Sequence, residues 1–243
     1  MPAQHEGSKG SGVKIGILQT GRAPTDLQAT HGDYDDMFKR LLAGRGFEFR
    51  TYPVLDGIFP ESVRDAAGWL VTGSRFGVYE PHAWIAPLED FLRGAYAAGV
   101  PIVGICFGHQ ILAQALGGKV EKFSGGWSVG LERYTLKGRP GETRVVAWHQ
   151  DQVVEKPADA EVIGSSPFCR YAALAYGDKA LSFQPHPEFT TAFGTDLLTA
   201  RGAVLPEGIA AQAATGLGGE TDSAEIADTI ADFFLSSRQA QPR

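Results

Sequence analysis

The chain has 243 residues, 43% of them apolar and 21% charged, with a formal net charge of −6. That length fits one large α/β domain or two small ones, and the acidic balance excludes the basic face that a nucleic-acid or anionic-membrane binder needs. Two cysteines, Cys106 and Cys169, exclude a disulfide framework and point to a reducing, cytoplasmic compartment; the lack of any 18-residue apolar run excludes a membrane span.

Residues 1–12 (MPAQHEGSKGSG) hold no apolar stretch, so they read as a disordered leader rather than a signal peptide. The apolar run Val13 to Leu18 predicts a buried strand. Asp33 to Leu42 (DYDDMFKRLL) has acids in front and bases behind, the order a helix dipole favours. Phe47 to Val54 alternates like a strand, and Gly68 to Gly73 reads as another buried strand. Ala86 to Ala98 places Leu88, Phe91, Leu92 and Tyr96 at helical spacing. Pro101 to Ile105 is the next strand, followed by a helix over Gln110 to Leu116 that ends on Gly117 and Gly118. Strands alternating with helices imply an α/β, mainly parallel sheet covered on both faces.

From Lys119 to Phe189 several β segments lie close together, an added β region. Beyond Phe189 come Gly- and Pro-rich turns, including the loop ATGLGGE. Last comes a helix in which Asp222, Ser223, Ala224 and Glu225 suggest a capping box. Its Ile226, Ile230, Phe233 and Phe234 share one face. Residues 190–243 are therefore read as a helical C-terminal extension packed on a body of residues 13–189.

The chemistry concentrates in Gly104-Ile105-Cys106-Phe107-Gly108-His109-Gln110. A buried strand runs straight into a helix with a cysteine at the join and a glycine two residues away on either side, the arrangement of a nucleophile elbow. The glycines suit a turn too tight for a Cβ, and a helix N-terminus favours a thiolate. Among the six histidines, His186 in Gln184-Pro185-His186-Pro187-Glu188 is the leading partner base. In extended backbone residues i and i+2 face the same way, so Glu188 can orient the His186 ring. The prolines argue against a central strand there. Left open beside that reading are a solvated turn, and a metal set of His149, Asp151, His186 and Glu188 that lacks any recognised ligand spacing.

Together the G-I-C-F-G-H-Q elbow and the P-H-P-E segment eighty residues later resemble the class I (Triad) glutamine amidotransferase family, over roughly Val13 to Phe189. The nearest types are the glutaminase domain of GMP synthase and the stand-alone γ-glutamyl peptidases; Gly32-Asp33-Tyr34 and Trp148 to Val153 are similar to the latter. The resemblance implies a flavodoxin-like open sheet with the site at the carboxyl edge of its strands. It implies Cys106 as nucleophile, His186 as base and acid, and Glu188 as its orienter. Backbone N–H groups of Gly73 and Phe107 would form the oxyanion hole, and Gln110, His149, Gln150 and Asp151 would hold the substrate. Gln150 stands where the synthase-type pattern has glycine, which reshapes the pocket.

The implied reaction is hydrolysis of the γ-glutamyl amide bond of glutamine or another γ-glutamyl compound, through a γ-glutamyl thioester and with no metal or organic cofactor. Arg75, Tyr79 and Trp127 are candidates for shaping the acceptor side, and Asp33 and Tyr34 for lining the pocket mouth. Cys169, with no elbow and no nearby base, reads as structural. Three functions remain open: a self-contained hydrolase, a glutaminase passing ammonia to a separate synthetase subunit, and a non-catalytic regulatory relative. No phosphate-binding loop follows the glutaminase-like part, so a synthetase would be a separate chain. Beyond the small-molecule substrate, the partners considered are that synthetase and a second copy in a homodimer, with no nucleic acid and no membrane.

Overall fold

A computed structural model describes residues 12–239; the expected disordered leader lies, but for Gly12, outside the described residues. The elements in order are β1 (Val13–Leu18), α1 (Thr25–His31), α2 (Tyr34–Leu41), β2 (Phe47–Tyr52), β3 (Gly68–Val71), α3 (Ile85–Ala97), β4 (Ile102–Ile105) and α4 (Phe107–Ala115). They continue with β5 (Lys119–Lys122), β6 (Ser128–Leu136), β7 (Thr143–His149), β8 (Asp151–Glu155), β9 (Glu161–Ser165), β10 (Ala173–Tyr176) and β11 (Ala180–Phe183). Three helices finish the chain: α5 (Thr191–Arg201), α6 (Ile209–Gly216) and α7 (Ser223–Gln239).

One nine-stranded sheet runs in the order β2-β1-β3-β4-β11-β10-β9-β6-β7, and β5 pairs with β8 in a separate ribbon. The first five strands are parallel; from β11 to β7 the pairing is antiparallel. The parallel strands are apolar nearly end to end because helices cover both their faces. On one face α3 and α4 pack Leu88, Leu92, Ile111 and Leu112 against Trp69, Val71 and Ile102. On the other, Phe38 of α2 and Ile226, Ile230 and Phe234 of α7 cover Ile15, Ile17 and Leu70. The expected open α/β sheet with helices on both faces and an added β region is therefore present.

Several local expectations need correction. The helix read from Gln110 begins three residues earlier, immediately after Cys106. The strand read as Gly68 to Gly73 stops at Val71, and that read as Phe47 to Val54 stops at Tyr52, leaving Gly73 and Val54 outside the ladders. Helix α1 was not anticipated, nor were α5 and α6, which stand where Gly- and Pro-rich turns were expected after Phe189; the ATGLGGE loop overlaps the last turn of α6. The capping box is replaced by other bonds. The Asp222 carboxylate accepts from the Arg144 backbone N–H at 2.7 Å and pairs with its guanidinium, while Glu225 pairs with Arg139. Both acids tie α7 to the β6–β7 hairpin rather than to each other.

Candidate active site

Strands β4 and β11 are parallel neighbours with Ile105 opposite Phe183. Cys106, one residue past β4, and His186, three residues past β11, therefore leave the sheet side by side at its carboxyl edge. Cys106 donates its backbone N–H to the Phe183 carbonyl at 2.8 Å and adopts φ 52°, ψ −103°, the one positive φ of a non-glycine among the described residues. Such a conformation costs about 1–3 kcal/mol and persists only where the surroundings impose it. They do so here through glycine. A Cβ on Gly108 would run into the Val71 carbonyl, and one on Gly104 into the Gly108 carbonyl, so the strand–helix contact closes only with bare backbone at both positions. The N-terminus of α4 then points at the cysteine side chain.

His186 sits in the proline-stiffened segment outside any strand, held by its backbone N–H to the Val146 carbonyl at 2.8 Å. Its ring lies parallel to Phe189, with centroids 4.0 Å apart and a 6° interplanar angle. Nδ1 is 2.7 Å from Glu188 Oε1, the contact that i, i+2 spacing anticipates. Glu188 and His186 are both buried, and Oε2 of Glu188 has no hydrogen-bond partner among the described residues. Burial pulls the His186 pKa down, but the charges of Glu188 and the Cys106 sulfur, with hydrogen bonds to both, raise it to about 10. A Cβ on Gly73 would stand 2.8 Å from His186 Cε1 and 3.7 Å from Cys106 Cβ. That position is open to glycine alone.

Behind Gly73 lies a buried hydroxyl pair that the sequence did not disclose. Thr20 Oγ1 donates toward the Thr72 carbonyl at 2.8 Å and the Gly73 carbonyl at 3.1 Å, and the Thr20 N–H is bonded to Thr72 Oγ1 at 3.0 Å. Thr72 Oγ1 also reaches the Gly73 carbonyl at 3.1 Å. With both carbonyls fixed, the two peptide planes around Gly73 are fixed too. Only the adjacency of β1 and β3 brings residues 20 and 72 together, so no local signal could have found them.

Cys106 and His186 open on a cavity of about 690 Å³. Gln110, His149, Gln150 and Asp151 all line it. Gln110 Nε2 donates to the Asp151 carbonyl at 2.8 Å and to Gln184 Oε1 at 3.1 Å, tying α4 to β8 and to the segment bearing His186. His149 is buried, and burial, with the charge of His186, lowers its pKa to about 3, which keeps its ring neutral. Gln150 has an ordinary backbone and turns its amide toward the Phe123 carbonyl at 3.4 Å. The half-buried Asp151 carboxyl has a pKa raised by burial and takes a hydrogen bond from Tyr79. Arg75, Tyr79, Trp127 and Tyr34 reach the cavity wall as well. Gly73, Phe107 and Glu188 stand outside its lining; the Phe107 side chain is core, and its backbone N–H, first in α4, has no carbonyl one turn earlier to take it.

Leu197, Arg201 and Val204 also line the cavity, a contribution of α5 and its end that the sequence reading missed. The available signal was Thr190, whose hydroxyl caps α5 at the Phe193 N–H (3.1 Å), followed by Phe193 and Leu197 one turn apart. Cys169 is buried away from the cavity, its thiol pushed up to about 12 by burial. Among the described residues no group of three or more His, Cys, Asp or Glu side chains is placed to hold a metal ion, and no helix is long and apolar enough to cross a membrane.

Comparison with known proteins adds to this geometry. Residues 34–202 match the family described as Glutamine amidotransferase class-I. Gamma-glutamyl peptidase 2 of Arabidopsis thaliana is 31% identical over 175 residues, covering 67% of this chain and 71% of the relative. The GMP synthase of Aquifex aeolicus is 40% identical over 139 residues, 54% of this chain but only 26% of that longer protein. In structure, a glutamine amido transferase from Methylobacillus flagellatus superposes with a TM-score of 0.70 at 21% identity, over 96% of each chain.

Proposed function

The chain belongs to the class-I glutamine amidotransferase family, and from that membership we propose that it hydrolyses γ-glutamyl amide bonds by itself, with Cys106, His186 and Glu188 as its catalytic triad. The observation that carries the reading is the meeting of three features at the carboxyl edge of the sheet, the first two of which open on the cavity. These are a cysteine forced to positive φ at a helix N-terminus, a histidine beside it, and a buried carboxylate 2.7 Å from that histidine's Nδ1.

In this mechanism the Cys106 thiolate adds to the γ-carbonyl carbon. The oxyanion that forms is received by the backbone N–H groups of Gly73 and Phe107, worth about 3–4 kcal/mol each when aimed at the developing charge. Thr20 and Thr72 hold the peptide planes of Gly73, so its N–H needs no reorganisation during the reaction. His186 enters the reaction protonated and gives its Nε2 proton to the leaving nitrogen; the C–N bond breaks and a γ-glutamyl thioester remains on Cys106. Neutral His186 then takes a proton from water, which adds to the thioester carbonyl and releases glutamate and the thiolate. Glu188 holds the ring in the tautomer that keeps Nε2 toward the substrate throughout.

Asp151, with Gln110 and Gln150 around it, receives the amino-acid end of the γ-glutamyl group. The cavity favours a substrate larger than glutamine, since about 690 Å³ is the size of a site for a drug-sized ligand. Similarity to GMP synthases favours a second reading, in which the chain supplies ammonia to a separate synthetase subunit. A substrate panel on the purified chain separates the two. Glutamate and amine release is measured from glutamine and from several γ-glutamyl dipeptides, with and without added synthetase. Turnover of a dipeptide by the chain alone supports the hydrolase; weak glutamine turnover that rises only with a synthetase supports the second reading.

A further inference from the structure

Resting on the hydrolase reading, we propose that the cavity holds a subsite for the carboxylate of the leaving amine, formed by Arg201 and the Tyr34 hydroxyl, so that the preferred leaving group is an apolar α-amino acid.

The cavity has two chemically different ends. One is polar, built from Gln110, Gln150, Asp151 and Tyr79. The other surrounds Phe189, on which the His186 ring stacks. The Tyr34 ring lies 5.8 Å from that of Phe189, and Leu197 belongs to the same apolar cluster. Arg201 follows Leu197 by one helical turn on α5, and both line the cavity. The nitrogen that leaves must sit against His186, because His186 protonates it. With the γ-glutamyl group directed toward Asp151, whatever the nitrogen carries extends over Phe189 and Leu197 and ends at Tyr34 and Arg201. Ammonia would use none of these groups. An amine with an apolar body and a carboxylate would use all of them.

The two polar groups suit an incoming carboxylate. Tyr34 is kept protonated, its pKa raised by burial and by the charges of Glu188 and Cys106, so its hydroxyl is a donor. Arg201 is paired with Asp26 at 3.0 Å, but both side chains are about half exposed, and such pairs hold weakly. A substrate carboxylate can therefore take over the guanidinium. A separate contact between the same helices, His31 to Asp196 at 2.7 Å, keeps α1 against α5 while Arg201 changes partner.

The test compares γ-glutamyl-leucine with γ-glutamyl-isoamylamide, which has the same apolar body without the carboxylate. Wild-type kcat/KM for γ-glutamyl-leucine is expected to be about tenfold higher or more, the scale of one charge-assisted hydrogen bond. Arg201→Gln collapses that ratio toward one, chiefly by raising KM for γ-glutamyl-leucine. Asp26→Asn, which removes the competing carboxylate from an exposed position, lowers that KM. Equal kcat/KM for the two compounds in the wild type, or an unaltered ratio in Arg201→Gln, overturns the subsite while leaving the hydrolase reading intact. No turnover of either compound overturns both.

Discussion

Replacing Glu188 by glutamine keeps the size and shape of the side chain and an acceptor for His186 Nδ1, but removes the charge. In the wild type that charge lies 2.7 Å from Nδ1 with both side chains buried, and together with the Cys106 sulfur and the hydrogen bonds to both groups it outweighs the burial that alone would pull the His186 pKa below its ordinary value. The raised value of about 10 lies above the unfolded value near 6.5. Protonated His186 therefore stabilises the fold fully below pH ~6.5, and this contribution is lost as pH rises toward 10. The same proton is the one given to the leaving nitrogen, so kcat/KM for amide hydrolysis is expected to stay level from neutral pH to about 9 and fall near 10. In Glu188→Gln, Cys106 alone opposes burial, so the alkaline limb moves down toward neutral. Activity at pH 7 falls by about 10²–10⁴-fold, the usual worth of general acid–base catalysis. The new side-chain NH₂ would occupy the position of Glu188 Oε2, which has no partner among the described residues, so a stability loss of about 1–3 kcal/mol accompanies the change. The assay is a pH–rate profile of glutamate release for both proteins, with a thermal melt as control. An alkaline limb that stays near 10 with activity within threefold of wild type would refute the role given to Glu188.

Cys106→Ala abolishes turnover and labelling by a thiol-directed glutamine analogue, whereas Cys169→Ala keeps most of both; labelling at Cys169 found by mass spectrometry would count against the elbow. Gly73→Ala places a Cβ 2.8 Å from His186 Cε1, so kcat is expected to drop at least about a hundredfold, the scale of losing an oxyanion donor together with ring alignment, while circular dichroism stays native. Thr20→Val leaves the Thr72 carbonyl without its hydroxyl donor; stability falls by about 1–3 kcal/mol, and kcat falls more than KM rises, with Thr20→Ser restoring kcat. Ile230→Ala empties a fully buried position between α7 and the sheet and should lower unfolding free energy by about 2–5 kcal/mol in a urea titration.

The parts of this architecture that were legible in the sequence are those whose cause is local. The elbow is a strand–turn–helix with glycines where backbone closes on backbone, and residues 104–110 carry all of that information. The His186–Glu188 contact was legible from the i, i+2 spacing, although the chain makes it through a turn at Pro187 and Glu188, closed by the Phe189 N–H on the His186 carbonyl at 3.3 Å, rather than through extended backbone. Thr20 and Thr72 were invisible because their bond depends on strand order, and strand order is set by packing across the whole sheet. Arg201 was missed for a different reason. Helix α5 buries only Phe193, Gly194 and Leu197, too short an apolar stripe to stand out beside the glycine-rich turns that follow. The capping box at Asp222 failed because the β6–β7 hairpin offered its acids partners elsewhere, the Arg144 backbone N–H and guanidinium for Asp222 and the Arg139 guanidinium for Glu225.

Eighty residues separate Cys106 from His186, and the sheet removes that distance in a single step. After α4 the chain spends β5 to β10 on the antiparallel region, then returns β11 alongside β4 as the last parallel strand. Because Phe183 is in register with Ile105, any slip of β11 by one residue would move Phe183 to the opposite face of the sheet and swing His186 away from the sulfur. Burial of Phe183, Leu181 and Ile105 therefore fixes the distance between the two reacting side chains as a by-product of packing. The same register makes Cys106 donate to the Phe183 carbonyl, so the strained elbow and the strand that carries the base are locked to each other rather than separately to the core. A variant that loosens β11, such as Leu181→Ala, should thus lose activity in proportion to stability, whereas Glu188→Gln loses activity far out of proportion to it. Plotting log kcat against unfolding free energy for the two substitutions separates the scaffold's contribution from the chemistry, and a shared line through both would argue that Glu188 acts only by packing.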